Sequence, residues 1–216
     1  MRSFLVIGLG AFGQCLAENL TSMGNEVMVI DRNEDRVNRM APLVTGSQIG
    51  DCQDIEILKS VGVDNYDICF VCICDDFQGS LEITSNLREL NAKYIVSRAE
   101  LASQTKFLKA IGADEVINPE KDMAKRTAVR FSMKGAFEYI ELTPEYGIFE
   151  AAPPASWIGK TVSDVNVRTN YSINIIGIKN GRDIRPMTRA DHVFTSSEHL
   201  IIAGSNKDTK KLLDER

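Results

Sequence analysis

Short runs of consecutive apolar residues alternate, through the first 117 positions, with stretches in which apolar residues recur every three or four positions. The runs FLVIGL (4–9), EVMVID (26–31), LVTGSQI (43–49), DICFVCI (67–73), YIVSRA (94–99) and DEVIN (114–118) predict strands, each separated from the next by a candidate helix. Among those helices, DCQDIEILKSVG (51–62) sets Ile55, Leu58 and Val61 at helical spacing. ELASQTKFLKAIG (100–112) sets Leu101, Phe107, Leu108 and Ile111 on one expected face ahead of a terminating glycine. Strands this uniformly apolar are expected to be buried on both faces, which predicts a parallel sheet with helices on each side.

The pattern changes after residue 118. NPEKDMAKRTAVRFSMKG (118–135) places Pro119 at a helix start and predicts one amphipathic helix over 119–134. Beyond Gly135 the strand signals FEYIELT, YGIFEAA, INIIGIKNG, RDIRPM and HLIIAGS follow one another in antiparallel style, with Asn180-Gly181 as a hairpin turn. KTVSDVNVRTNY and NKDTKKLLDER read as short helices. The organisation expected is therefore an α/β domain over 1–118, a connecting helix over 119–134 and a small α+β domain over 135–216.

Composition narrows the function classes. With 44% hydrophobic and 25% charged residues in 216, the chain has the profile of a globular protein rather than a disordered or fibrous one. Its apolar runs are strand-sized, and the opening MRSFLVIGLGAFG lacks the features of a secretory signal, so a cytoplasmic location is expected. A net charge of −5 without a basic stripe argues against a nucleic-acid partner. The five cysteines are expected to be reduced and buried small hydrophobes rather than a metal or redox site. Along a strand Cys72 and Cys74 share a face that Cys69 does not, and His192 and His199 are distant in sequence.

The chemistry begins with Gly8-Leu9-Gly10-Ala11-Phe12-Gly13, which follows a strand and opens a helix, the context a Gly-x-Gly-x-x-Gly match needs. Gly8 suits a tight turn, Gly10 a close approach to a pyrophosphate, and Gly13 a helix packed against the sheet. Phosphates would meet the unpaired N–H groups of the helix start. Asp31 ends the second strand, 18 residues after Gly13, where a carboxylate accepts ribose hydroxyls. The alternative is a purely structural turn, with Asp31 capping the helix NEDRVNRM. Arg32 suits adenine stacking, a 2′-phosphate or simple solvation. Further contacts are expected at the carboxyl ends of later strands: from GDCQD (50–54), chiefly Asp51 and Cys52, then from Ile73 and CDDF (74–77), chiefly Cys74 and Asp75, then from Arg98. The fold implied is a Rossmann-like doubly wound sheet, and the ligand an adenine nucleotide or NAD(H).

A dehydrogenase would add a proton-transfer group beside the ligand, and no persuasive acid/base pair, nucleophile triad or metal cluster emerges. Asp75 and Asp76 are the carboxylates available, at positions that also suit a helix cap. A small NAD(P)-dependent oxidoreductase stays open at this point, as does a nucleotide-binding regulator of some membrane transporter.

Two further stretches carry a resemblance that spans the chain: IGADEVINPEKDMAKR (111–126) and TVSDVNVRTNYSINIIGIKNG…HLIIAGSNKDTKKL. With the glycine motif and Asp31 they resemble the TrkA/KtrA-like cytosolic subunits of Trk/Ktr-type potassium uptake systems, built from RCK domains (regulators of potassium conductance). The resemblance implies a non-catalytic gating subunit with an RCK-N domain carrying ATP, ADP or NAD(H), a crossover helix that builds homodimers, and an RCK-C domain. It further implies four dimers in an octameric ring beneath an integral membrane potassium-translocating (TrkH/KtrB-like) subunit, holding the protein at the inner face of the membrane. Glu120 of PEKDM matches an acid that helps bind a cation at the dimer interface in some members, and Arg168 and Asn174 fall in the region that binds cyclic di-AMP in others. Ala11 stands where ATP-binding members commonly have Arg, which puts ATP over ADP discrimination in doubt and favours NAD(H).

Overall fold

The structure, a computed structural model, describes residues 1–133, 135–186 and 189–214. The sequence expectations that reach Lys134, Met187, Glu215 and Arg216 lie outside the described residues. The chain forms two compact units, Met1–Glu120 and Lys121–Arg216.

In the first unit, β1 (Ser3–Ile7), β2 (Glu26–Asp31), β3 (Gly46–Ile49), β4 (Ile68–Val71), β5 (Ile95–Arg98) and β6 (Glu115–Ile117) form one parallel sheet in the order β3-β2-β1-β4-β5-β6. The strands are joined by α1 (Ala11–Ser22), α2 (Glu34–Met40), α3 (Ile55–Val61), α4 (Phe77–Glu89) and α5 (Ala102–Ala110). Period-two alternation sends Leu5 and Ile7 into a core with Ile83, Leu87 and Ile95, and Val6 into a second core with Ala17, Val27 and Val29. The sheet is thus covered on both faces, as the apolar runs require.

Departures from the expected pattern occur where a neighbour is missing. The edge strands β3 and β6 are only half-buried, because no strand covers their outer side. Pro42 places a 3₁₀ turn at Ala41–Leu43, so β3 begins at Gly46 rather than at Leu43. On α5 only Leu108 is fully buried; Leu101 and Phe107 are 58% and 57% exposed. Leu101 precedes the helix, and Phe107 is rotated about 100° from Leu108, so the two cannot share one narrow face. On α3 the inward face is Ile57, Leu58 and Val61, with Ile55 half-buried at the first turn. Three cysteines, Cys52, Cys69 and Cys72, are buried as expected, whereas Cys15 on α1 is exposed and Cys74 only half-buried.

The second unit contains most of α6 (Pro119–Ser132), which buries none of its own residues, and a five-stranded antiparallel sheet. β7 (Ala136–Glu141), β8 (Tyr146–Ala151), β9 (Asn174–Asn180), β10 (Asp183–Pro186) and β11 (His199–Ser205) pair in the order β10-β9-β11-β8-β7. The β9–β10 hairpin turns at Gly181-Arg182, with Asn180 still paired to Asp183. The short helices α7 (Val162–Val165), α8 (Val167–Tyr171) and α9 (Asn206–Asp214) cover one sheet face. α7 and α8 are split at Asn166, whose φ of 48° is left-handed. The core holds Tyr139, Phe149, Trp157, Phe194, Leu200 and Leu212.

Both histidines are tied to carboxylates in this unit. His192 Nε2 lies 3.0 Å from Oε1 of the buried Glu198. His199 Nδ1 lies 2.6 Å from Glu150 Oε1, and the His199 ring stacks on Phe137 with centroids 4.1 Å apart. Lys179 Nζ donates to Glu150 Oε2 at 2.7 Å. Burial pushes the Glu150 carboxyl up, but the hydrogen bonds from His199 and Lys179 outweigh it and hold the group below its ordinary value.

A Cβ at Gly13 would lie 2.0 Å from the Gly8 carbonyl oxygen, so Gly13→Ala should destabilise by about 3 kcal/mol, or roughly 10 °C in Tm. Gly10 has nothing within 4 Å of the same position, so Gly10→Ala should melt within about 0.5 kcal/mol of the wild type. Because the folded-state value of Glu150 is depressed, its contribution is complete above the unfolded value of about 4.3 and drains as pH falls through the folded one. Melting curves between about pH 6 and pH 3 should therefore fall less steeply for Glu150→Gln than for the wild type.

Candidate functional site

The β1-to-β4 step in the strand order reverses the direction of chain travel across the sheet, and the carboxyl ends of the strands open there. A cavity of about 350 Å³ occupies that position. Gly8, Gly10 and Ala11 line it from the β1–α1 turn, and Asp31 and Arg32 from the end of β2. Asp51 and Cys52 enter after β3, Ile73, Cys74 and Asp75 after β4, and Arg98 at the end of β5. These eleven of the fourteen residues expected at a ligand share one cavity. The other three support it from behind: the Leu9 side chain and Gly13 are buried in the core, and Phe12 packs at its edge.

The turn is shaped by what it cannot accommodate. Gly8 has φ +93°, and a Cβ there would press on Ile73 and the Cys72 backbone. Gly13 lets α1 approach the Gly8 carbonyl. Gly10, the residue just before α1, faces open space and offers no side-chain cap, and no acidic residue stands in the first turn. The N–H groups at the start of this 12-residue helix are thus available to an anion.

Asp31 is buried and connects two segments: it accepts the Leu9 backbone N–H through Oδ2 at 2.5 Å and the Asn33 N–H through Oδ1 at 2.8 Å. The cap of α2 is Asn33, which accepts the Arg36 N–H at 3.0 Å, so Asp31 does not cap the helix itself. Arg36 sits 3.7 Å from Asp31 and joins the cavity wall.

On the far side Asp76 accepts the Gly79 N–H at 2.9 Å as the cap of α4, and the Gln53 side-chain amide at 2.8 Å. That bond ties the loops after β3 and β4 together. Arg98 lies with its guanidinium carbon 5.5 Å from the Phe12 ring centroid and forms an ion pair with Glu120 on the first turn of α6. The cation role expected for Glu120 thus meets a carboxylate already held by a guanidinium. Among the described residues no group of three His, Cys, Asp or Glu side chains could hold a metal ion.

Burial pushes the Cys52 and Cys72 thiols up to about 12, with the carboxylates of Asp51 and Asp31 adding to the effect at Cys52. Burial also raises Cys74. The wall also includes Gly50, Gln53 and Asp76, from the stretches expected after β3 and β4, and four residues that sequence reasoning left out, Ile7, Ile30, Arg36 and Cys72. Ile7 and Ile30 stand at or next to the last residues of β1 and β2, and Cys72 directly follows β4, so strand-end position was the signal for these three.

A second cavity, of about 510 Å³, lies in the other unit. Asn166, Arg168, Asn174 and Ile175 line it, and Arg168 Nε donates to Asn174 Oδ1 at 2.8 Å.

Comparison with known proteins agrees with this layout. Residues 4–119 match the TrkA-N domain and residues 147–215 the TrkA-C domain. The chain is 36% identical to Ktr system potassium uptake protein C of Bacillus subtilis (strain 168) over 97% of its own length and 95% of that protein's. It is 35% identical to Ktr system potassium uptake protein A of the same organism, over 99% and 96%. Among solved structures, the GsuK channel superposes with a TM-score of 0.70 at 18% identity, over 99% of this chain but 40% of the channel. The GsuK channel bound to NAD superposes with a TM-score of 0.65 at 17% identity, over 96% and 38%. The chain belongs to the TrkA-N/TrkA-C family that includes the Ktr system potassium uptake proteins A and C.

Proposed function

We propose that this protein is the nucleotide-sensing, non-catalytic gating subunit of a Ktr-type potassium uptake system. The observation that carries the reading is the cavity at the strand-order reversal, where an open Gly10, the start of α1 and the buried Asp31 converge in a chain related over its full length to Ktr uptake proteins. No histidine lines that cavity, and two of its four carboxylates, Asp31 and Asp76, are each committed to two N–H donors. Binding without turnover is what such a site supports.

The lining charges indicate the ligand. Three guanidiniums, Arg32, Arg36 and Arg98, face four carboxylates, Asp31, Asp51, Asp75 and Asp76. Ala11 adds no charge to this wall. A terminal phosphate would therefore meet little compensation, which favours NAD(H) or ADP over ATP. The GsuK channel bound to NAD is a distant precedent for the fold.

The same reading includes a homodimer built on α6. This 14-residue helix buries none of its residues and leaves Met123 and Phe131 57% and 77% exposed, as a surface awaiting a second copy would. Four such dimers form an octameric ring against the membrane potassium-translocating subunit. Among the described residues no helix is long and apolar enough to cross a membrane, so the partner supplies the attachment. The cavity around Arg168 and Asn174 is the place in this reading for cyclic di-AMP. Ligands act by linkage: each biases the ring only as far as it binds one shape better than the other.

Thermal unfolding with NAD+, NADH, ADP and ATP tests the first cavity. A ligand at 100 times its Kd should stabilise by about 2.7 kcal/mol. The shift should shrink in the order NAD(H) or ADP, then ATP, and vanish in Asp31→Ala, while NADH absorbance stays constant over hours. Steady consumption of NADH with an added carbonyl substrate would replace this reading with an oxidoreductase. Alkylation at about pH 7.5, followed by mass spectrometry, should label the exposed Cys15 first and Cys74 more slowly, with Cys52, Cys69 and Cys72 untouched. Saturating nucleotide should slow Cys74, which lines the cavity, and leave Cys15 unchanged.

A further inference from the structure

Arg98 is committed on two sides and open on a third. Its side chain is 12% exposed, its guanidinium lies against the Phe12 ring, and Nη2 binds Glu120 Oε1. Its Nε is buried and has no hydrogen-bond partner, although Arg98 lines the ligand cavity. A buried, charged N–H left unpaired is costly, and a partner that fills it is correspondingly favoured. Of the other two guanidiniums in the wall, Arg36 is near Asp31 and Arg32 stands beside it at the end of β2, on the opposite side of β1 from β5.

We infer that Arg98 is a shared donor, giving its unpaired Nε–H to an oxyanion of the nucleotide while Nη2 stays on Glu120, so that the bound ligand steadies the first turn of α6. The inference rests on the nucleotide reading of the cavity and deepens it. Arg98 is then a positioning residue for α6 as well as a ligand contact. Its guanidinium supplies the positive charge beside Glu120. A nucleoside without phosphate would fit the cavity and leave Nε unpaired. Phosphate-bearing and phosphate-free ligands should therefore differ in what they do to α6, and not only in affinity.

The test uses the full-length protein, calorimetric titration with ADP and with adenosine, and amide hydrogen exchange across α6. Arg98→Gln should weaken ADP at least tenfold and adenosine less than twofold, with Arg98→Lys in between. Glu120→Gln should keep ADP within threefold of the wild type, with or without Mg2+, yet abolish the slowing of α6 exchange that ADP produces in the wild type. Melting temperatures identify any variant that has simply lost its fold, and Arg98→Lys, which keeps the charge, is the second handle if Arg98→Gln is unstable. Equal losses for ADP and adenosine, or none, would overturn the role of Arg98 while leaving the nucleotide site standing. ADP protection of α6 that persists in Glu120→Gln would overturn the coupling, as would a Glu120→Gln defect that appears only with Mg2+. If the wild type binds neither ADP nor adenosine, the nucleotide reading itself fails, and this inference with it.

Discussion

The architecture of the first unit turns on one close approach, that of α1 to the Gly8 carbonyl, which leaves no room for a Cβ at Gly13. It brings the start of α1 down over the end of β1, and the Leu9 N–H is fixed there by Asp31 from the next strand. Three things are then determined together: the left-handed turn at Gly8, the orientation of the free helical N–H groups, and the position of a buried carboxylate beside them. Of the three glycines in this turn, Gly10 alone keeps open space in front of it. A turn that served packing only would have no reason to keep that position empty, since a side chain there would meet nothing and a methyl group would fill otherwise wasted volume.

Much of this was legible from residue pattern, because the signals are local. A strand followed by glycines at fixed spacing, then an acid at the end of the following strand, specifies backbone geometry within about thirty residues. Eleven of the expected ligand residues accordingly fall on one cavity. What was illegible depends on neighbours distant in sequence. Phe107 carries the same hydrophobic signal as Leu108, and only the packed sheet decides which of them turns inward. Asp31 was the alternative cap read from the sequence, yet the cap is Asn33, and Asp31 is instead claimed by a backbone N–H 22 positions away. Glu120 was read through a family resemblance as a cation ligand, and its actual neighbour Arg98 comes from another strand end.

Misplaced expectations in the second unit have a similar origin. The stretch 160–171 reads as one short helix by composition, but Asn166 adopts the left-handed conformation that an asparagine tolerates better than most residues, and the helix breaks there. That break places Asn166 and Arg168 beside Asn174 on β9, around the second cavity. The two histidines that an enzyme reading would have wanted are instead engaged by Glu198 and Glu150.

The two cavities differ in how their polar groups are committed, and this bears on which chemistry each can perform. A proton-transferring carboxylate must exchange its partners during a reaction cycle. Asp31 and Asp76 each hold together two chain segments through both oxygens, so releasing either would loosen the turn or the helix cap that forms the wall. Such groups hold the wall in shape. Arg98 differs, because one buried donor, Nε, has no partner. A ligand oxyanion that satisfies this donor is the occupancy signal inferred above, and the link to Glu120 carries it to the first turn of α6.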